Sequence, residues 1–295
     1  MRLISANVNG IRAAARRGGL DWLAAQHADV IALQEVRATD DQLREVLDGS
    51  PLARWHVSCA SGSAKGHAGV AVLTRQAPAR LSSHLGPVEF ADSGRWIEVD
   101  VLGPGGPVTV ISTYVHTGEA GTPRQDEKHR FLDAVGFRLA QLADDGGCAV
   151  LTGDLNICHS ADDLKNWKGN LGRSGFLPAE QAHLDDWVGT HGYVDVHRAL
   201  HGPGPGPYTW WSWRGKAFDN DAGWRIDYHF ASAPLANMAT RAEVGRAAAY
   251  ADRWSDHAPL TIDYDLTLAC RDGAPVAGEP AGRWCVLAES SSPLG

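Results

Sequence analysis

Several of the residues and patterns that build special chemistry by themselves are scarce or missing in this 295-residue chain. There are five cysteines, Cys59, Cys148, Cys158, Cys270 and Cys285, an odd number, widely scattered and without a CxxC pair. That favours reduced thiols in a cytosolic compartment over a disulfide framework. No run approaches the roughly 18 apolar residues of a membrane span. The opening Met1-Arg-Leu-Ile-Ser-Ala-Asn7 lacks the apolar core of a signal peptide. The expectation is a cytoplasmic protein with no membrane partner. Positive charge is not in excess either: 27 Lys and Arg against 35 Asp and Glu leave a formal charge of −8. A basic excess is the usual footprint of nucleic-acid binding, so its absence counts mildly against tight non-specific DNA binding. Net charge says nothing of where charges lie, and a metal–carboxylate site supplies acids of its own. Internal repeats, a phosphate-binding lysine loop and a serine-hydrolase elbow are absent as well.

With 44% hydrophobic and 21% charged residues, the chain can bury a substantial core. Short apolar runs rich in β-branched residues recur at Leu3–Ala6, Asp29–Leu33, Gly69–Leu73, Trp96–Val101, Val108–Tyr114 and Ala149–Leu151, and read as buried strands. Helices are expected over Asp126–Leu142, where Phe131, Val135 and Leu139 keep a helical spacing, and over Pro178–His191, entered through Pro178. Some strands follow one another too closely for crossover helices, which points to a layered α/β protein with mixed sheets. The Gly-Pro run at 202–207 reads as a loop. From about Cys270 the chain is rich in Gly, Ala, Pro and Ser, so one domain over 1–268 and a flexible tail over 269–295 are expected.

Polar residues gather at the ends of these strands: Asn7 and Asn9, Gln34 and Glu35, Tyr114, Asp154 and Asn156, then Asp227, Asp256 and His257. Singly each has a bland reading, such as an Asn-Gly turn, a solvated glutamate or a helix cap. His197 and His201, four apart, could clamp zinc on a helix but have no evident third ligand. Together, carboxylates and amides at five strand ends with one late histidine suit a hard divalent cation bound through oxygen.

The segments Asn7-Val-Asn9-Gly-Ile-Arg12, Leu33-Gln-Glu35, Gly66-His-Ala-Gly69-Val70, Gly153-Asp154-Leu-Asn156-Ile-Cys-His159, Ser174-Gly-Phe-Leu-Pro-Ala-Glu180, Tyr208-Thr-Trp-Trp-Ser212, Gly223-Trp-Arg-Ile-Asp-Tyr228 and Ser255-Asp-His-Ala-Pro-Leu260 stand in a recognisable order. In that order, over about residues 1–265, the chain resembles the exonuclease III family of DNA-repair nucleases, within the endonuclease/exonuclease/phosphatase superfamily. Glu35, Asp154, Asn156 and the Asp256-His257 pair match the superfamily at large. The Gly-Trp-Arg-Ile-Asp-Tyr and Tyr-Thr-Trp-Trp segments are narrower and match the DNA-repair branch.

The resemblance implies a four-layered α/β sandwich, two mixed β-sheets flanked by helices (DNase I-like). It implies a monomeric phosphodiesterase acting on double-stranded DNA at abasic sites or 3′ ends, 3′→5′ exonuclease, AP endonuclease or both. Glu35, with Asn7 close by, would hold Mg²⁺ or Mn²⁺, the wider ligand set including Asp154, Asn156, Asp256 and His257. Asp154 would orient or deprotonate the attacking water, Asn156 would fix water and phosphate, and Tyr114 would contact the phosphate. His257, braced by Asp227, would donate to a phosphate oxygen. Trp210, Trp224 and Ile226 would line a pocket for an extrahelical abasic sugar, with Arg225 beside them.

The chain departs from the family pattern after Tyr114, where Val-His116-Thr-Gly-Glu119 follows without an early proline or a stack-inserting arginine. Arg124 is a distant substitute, and Arg37 stands where lysine is common. These changes bear on the balance between abasic-site incision and exonuclease action. Two other readings fit the residues less well. One keeps the fold with another phosphoester (DNase I-like, inositol phosphate or sphingomyelin), and the repair-branch segments argue against it. The other, a catalytically dead DNA-binding module, conflicts with an intact Glu35, Asp154, Asn156, Asp227 and His257.

Overall fold

The structure, a computed structural model, describes residues 1–63 and 66–268 and the backbone of a two-residue strand further on, Trp284–Cys285. The strands are β1 (Arg2–Asn7), β2 (Val30–Gln34), β3 (His56–Ala60), β4 (Val70–Thr74), β5 (Arg80–Ser82), β6 (Trp96–Gly103), β7 (Gly106–Tyr114), β8 (Cys148–Asp154), β9 (Tyr193–Asp195), β10 (Asp227–Ser232), β11 (Ala239–Val244), β12 (Leu260–Tyr264) and β13 (Trp284–Cys285). They form a seven-stranded sheet, ordered β11-β12-β1-β2-β4-β3-β13, and a six-stranded sheet, ordered β5-β6-β7-β8-β10-β9. Both are mixed: β1–β2 and β7–β8 are parallel, β1–β12 and β8–β10 antiparallel. The expected tail, 269–295, lies outside the described residues apart from the backbone of β13, which pairs in parallel with β3.

Period-two alternation assigns each strand residue to a layer. Leu3, Val30, Ala32, Val70, Val72, Ile97, Val99, Val110 and Val150 point between the sheets and form a shared core. Their neighbours Ile4, Ile31, Leu33 and Leu73 face the other way, beneath α1 (Ile11–Arg16), α2 (Gly19–Ala25) and α3 (Asp40–Asp48). Ile111, Ala149, Leu151 and Phe230 pack under α4 (Pro123–Asp144) and α5 (Pro178–Gly189). The result is the helix–sheet–sheet–helix sandwich expected of the DNase I-like fold. Both predicted helices form: α4 begins three residues earlier, with Pro123 in its first turn, and α5 ends at Gly189, two residues short of His191. His197 and His201 do share a short helix, α6 (Val196–His201), and their rings stack at 4.5 Å. His201 Nε2, however, meets the Ala242 carbonyl, so the zinc reading gains no ligand there.

Candidate active site

Sheet register delivers the polar strand ends to one end of the sandwich. Asn7 pairs with Gln34 across β1–β2, which places Glu35 just beyond the ladder. In the other sheet Tyr114 pairs with Asp154 across β7–β8, and Asp154 pairs with Asp227 across β8–β10. Gly153 allows this close approach, since a Cβ there would sit 2.0 Å from the Thr113 carbonyl oxygen. Left-handed backbone recurs where the strands end, at Asn9, Glu35, Arg37 and Asn156. Non-glycine residues adopt it rarely, and its clustering marks a site where geometry is imposed by surroundings.

The side chains converge on one another. Asn7 Nδ2 donates to Glu35 Oε1 and to Asp154 Oδ2, both at 2.9 Å. His257 Nδ1 lies 2.9 Å from Asp227 Oδ2, and its Nε2 3.7 Å from Asp154 Oδ2. Burial pushes the His257 imidazole down, but the carboxylates of Asp227 and Asp154 outweigh it and bring it up to about 10. The ring is therefore a cation at neutral pH. Burial, joined by Asp227 and Glu35, holds the Asp154 carboxyl well above the usual carboxylate range. Tyr114 is raised too, first by burial and then by Glu35 and Asp154, so it stays a neutral phenol. Arg95 lies 4.7 Å from its ring centroid and donates to its carbonyl, fixing the ring from behind.

Glu35, Asp154 and His257 offer ligand atoms within 4.8 Å of one another, a group able to hold a metal ion. The donor set fits such an ion. Glu35 Oε2 is buried without an aligned hydrogen-bond donor and is met by the guanidinium of Arg37. A buried anionic oxygen in that state favours a cation. The protonated His257 is the poorest ligand of the three, which leaves the carboxylate oxygens to a hard ion. Asp256 stands apart from this group. Its Oδ1 accepts from Asn9 Nδ2 at 2.7 Å and its Oδ2 from Trp210 Nε1 at 3.1 Å. It braces the wall between metal group and pocket.

A cavity of about 340 Å³ opens beside these residues, with Trp210, Trp224 and Ile226 on one side and Glu35, Asp154 and His257 on the other. The two indoles meet edge to face, 6.1 Å apart at 88°. Trp210 bridges by backbone both to Trp224 and to His257, so the apolar wall and the Asp154–His257 cluster share one scaffold. Gly175 lies under Trp224, where a Cβ would approach the indole to 2.9 Å.

Residues 4–257 match the model of the endonuclease/exonuclease/phosphatase family. The chain belongs to that family. Among its relatives, an exodeoxyribonuclease of Bacillus subtilis is 33% identical over 264 residues, 89% of this chain and 98% of the relative. The DNA repair nuclease APEX1 of Danio rerio is 30% identical over 263 residues, 89% of this chain and 81% of the relative. Of solved structures, the 3′-5′ exonuclease NExo of Neisseria meningitidis superposes with a TM-score of 0.79 at 27% identity, covering 90% of this chain and 100% of that one. An AP endonuclease of Archaeoglobus fulgidus also gives 0.79, at 25% identity, covering 90% and 99%.

This endonuclease/exonuclease/phosphatase-family site rests on a buried pair of which the sequence motifs contain Glu180 but not Lys128. Lys128 and Glu180, both fully buried, form an ion pair at 2.6 Å. Lys128 Nζ also donates to the Asn156 carbonyl at 2.9 Å, while Glu180 Oε2 accepts from the backbone of Gly175 and Leu177. One pair thus fixes the Asn156 loop and the floor under Trp224. The available signal was the position of Lys128 on the apolar face of α4, three and four residues before Phe131 and Leu132.

Arg225 is the expected substrate contact that this family member does not present. It is buried, bonded to Asp163 at 2.6 Å and to Asp195 at 2.7 Å, with its guanidinium over the Tyr228 ring. Trp224 and Ile226 face the cavity, and Arg225, one residue from each in extended backbone, faces away. Beside the pocket the 165–175 loop carries Lys165, Lys168 and Arg173 with no acidic residue. Trp167 and Leu171 are exposed on it, and Lys165 N–H bonds to the Gly223 carbonyl, tying it to the Trp224 strand.

Proposed function

We propose that the protein is a divalent-metal-dependent DNA-repair phosphodiesterase that incises 5′ to abasic sites and trims 3′ ends. The observation that carries this reading is the shared wall: a two-tryptophan cavity of about 340 Å³ opens directly onto Asp154 and His257. A sugar without its base fits such an apolar recess and costs less to extrude than a paired nucleotide. Names of relatives support the same substrate class: exodeoxyribonuclease, DNA repair nuclease, and a neighbouring structure of NExo bound to a product DNA hairpin. The basic 165–175 loop supplies local positive charge despite the net −8.

In this reading Asp154, whose raised affinity for a proton suits a base near neutral pH, takes the proton of the attacking water. Asn156 Nδ2 is tied to the Val115 carbonyl at 2.9 Å, leaving its amide oxygen to orient that water. Nδ1–H of His257 donates a hydrogen bond to Asp227 and stays on the ring, and Nε2–H donates to a non-bridging phosphate oxygen, where negative charge grows. Tyr114, a neutral phenol, adds a second donor to the phosphate. Glu35, with Asn7 and Asp154 beside it, would hold Mg²⁺, or Mn²⁺ in its place, which lends positive charge to the phosphate and leaving oxygen. The residues of the site all lie within 1–268, the protein acts as a monomer in this reading, and the free thiols Cys59, Cys148 and Cys158 suit a reducing cytoplasm, at the nucleoid when on DNA.

The test is cleavage of a labelled duplex with one abasic-site analogue, beside an undamaged blunt duplex, with Mg²⁺ and with EDTA. A metal-dependent nick 5′ to the lesion, faster than end degradation, is expected. Degradation from 3′ ends alone would restrict the function to end processing. No cleavage of either duplex would overturn the reading.

A further inference from the structure

Away from the active site, α4 and α5 meet through two imidazoles. His129 Nδ1 on α4 lies 3.1 Å from His183 Nε2 on α5, with ring centroids 5.3 Å apart. The second nitrogen of each ring also faces a protein group. His183 Nδ1 is 3.7 Å from Asp133 Oδ1, and His129 Nε2 is 3.4 Å from Gln125 Nε2. With Gln125 Nε2 as donor, the two hydrogen bonds run one way. Gln125 donates to His129 Nε2, His129 Nδ1–H donates to His183 Nε2, and His183 Nδ1–H points to Asp133. A single proton therefore occupies the gap between the two rings.

We propose that His129 and His183 form a second metal site, a two-imidazole clamp for a borderline divalent cation such as Zn²⁺ or Ni²⁺, joining α4 to α5. Two nitrogens about 2.1 Å from one ion stand about 3 Å apart at the right angle of a tetragonal ion such as Ni²⁺ and about 3.4 Å apart at the tetrahedral angle of Zn²⁺, against 3.1 Å here. Imidazole favours such ions over Mg²⁺, so this site and the oxygen-rich catalytic cluster select different metals. Asp133 behind His183 is the carboxylate support that metal-bound histidines commonly have. His183 keeps 19% of its side-chain surface exposed, so water can complete the coordination.

The proton count balances without release or uptake. On coordination through Nδ1, His129 keeps one proton, moved to Nε2, where it meets Gln125. Gln125 Oε1 is buried and has no partner, and turning the amide lets it accept that proton. The same turn withdraws the N–H that Gln125 gives Glu180 Oε1 at 2.8 Å. Glu180 holds Lys128 and, through it, the Asn156 loop. A metal on the clamp thus reaches the catalytic floor through three side chains.

The experiment is Ni²⁺ binding to the whole protein in excess Mg²⁺, measured by competition with a chromophoric chelator. It is repeated on Glu35→Gln so that ions at the catalytic cluster are told apart. The ion that Glu35→Gln leaves in place is expected to bind at least about tenfold more weakly in His183→Gln and in His129→Gln. Asp133→Asn, an exposed change that leaves both ligands present, is expected to weaken it several-fold. Circular dichroism checks that each variant is folded. Ni²⁺ affinity unchanged in both histidine variants, or no Ni²⁺ bound once Glu35 is replaced, overturns the proposal and leaves the contact a plain hydrogen bond.

Discussion

Asp154 and Asp227 are direct partners across the antiparallel β8–β10 ladder, and His257 bridges the two from outside that ladder. Two buried carboxylates so close would repel without the imidazolium between them. In Asp227→Asn the cation loses the negative charge of its nearer partner, and an amide oxygen replaces the carboxylate as acceptor for Nδ1–H. We expect kcat on an abasic duplex to fall on the order of a hundredfold, with KM changed little. Steady-state kinetics check this, and a loss carried mainly by KM would show that His257 only binds.

Lys128 and Glu180 give a different signature. Lys128→Met leaves a carboxylate buried without its cation, at a cost of about 3–5 kcal/mol. Replacing both, as Lys128→Met with Glu180→Leu, removes the unpaired charge. Urea unfolding should place the double variant above the single one in stability. Both should still lose turnover, because the Asn156 carbonyl keeps no donor from Lys128 in either. Equal stability of the two would contradict the pairing.

The pocket predicts selectivity. Trp224→Ala opens the wall against which an extruded sugar would rest, and should slow abasic-site incision on the order of tenfold more than removal of an undamaged 3′ nucleotide. Parallel assays on the two duplexes measure the ratio. An equal loss on both would place Trp224 in the framework.

The 165–175 loop bears on salt. If Lys165, Lys168 and Arg173 neutralise phosphates, changing all three to Gln should lower the slope of log K against log salt by about 2–3. Fluorescence anisotropy with an uncleavable abasic duplex reads this slope. A uniform slope in both proteins would assign the contacts elsewhere.

Acid sensitivity follows from His229, fully buried on β10 and held down by burial to about 3. Its folded value lies below the unfolded value of about 6.5. The stability it contributes is therefore complete above that pH and is lost as pH falls toward 3. Between pH 6.5 and 5.5 the loss from this one group is about 1 kcal/mol. His229→Leu should flatten the dependence of Tm on pH in that range, and an unaltered dependence would mean the ring is already protonated in the fold.

Much of this was legible in the sequence because buried strands with β-branched residues announce themselves. Val70, Val72, Val108 and Val110 sit in the core between the sheets as their composition requires. The edge strands were not legible. In β11, Thr240, Arg241 and Glu243 are exposed, so no apolar run marks the strand. The candidate site was readable from strand-end polar residues and family motifs, but the buried partner of Glu180 was not. Lys128 looks like a solvated helix residue until tertiary packing closes over it. Arg225 looks like a ligand contact because it stands between two residues that line the cavity, although its own side chain turns away to Asp163 and Asp195.

The first strand of the fold, β1, is hydrogen-bonded to β12, and the cluster draws on Asn7 at one extreme and His257 at the other. A ribosome must therefore deliver nearly the whole sandwich before the two ends can meet. A partly made chain carries its acids and its tryptophans but not the assembled cluster, so the site comes into being only with the last strands of the fold.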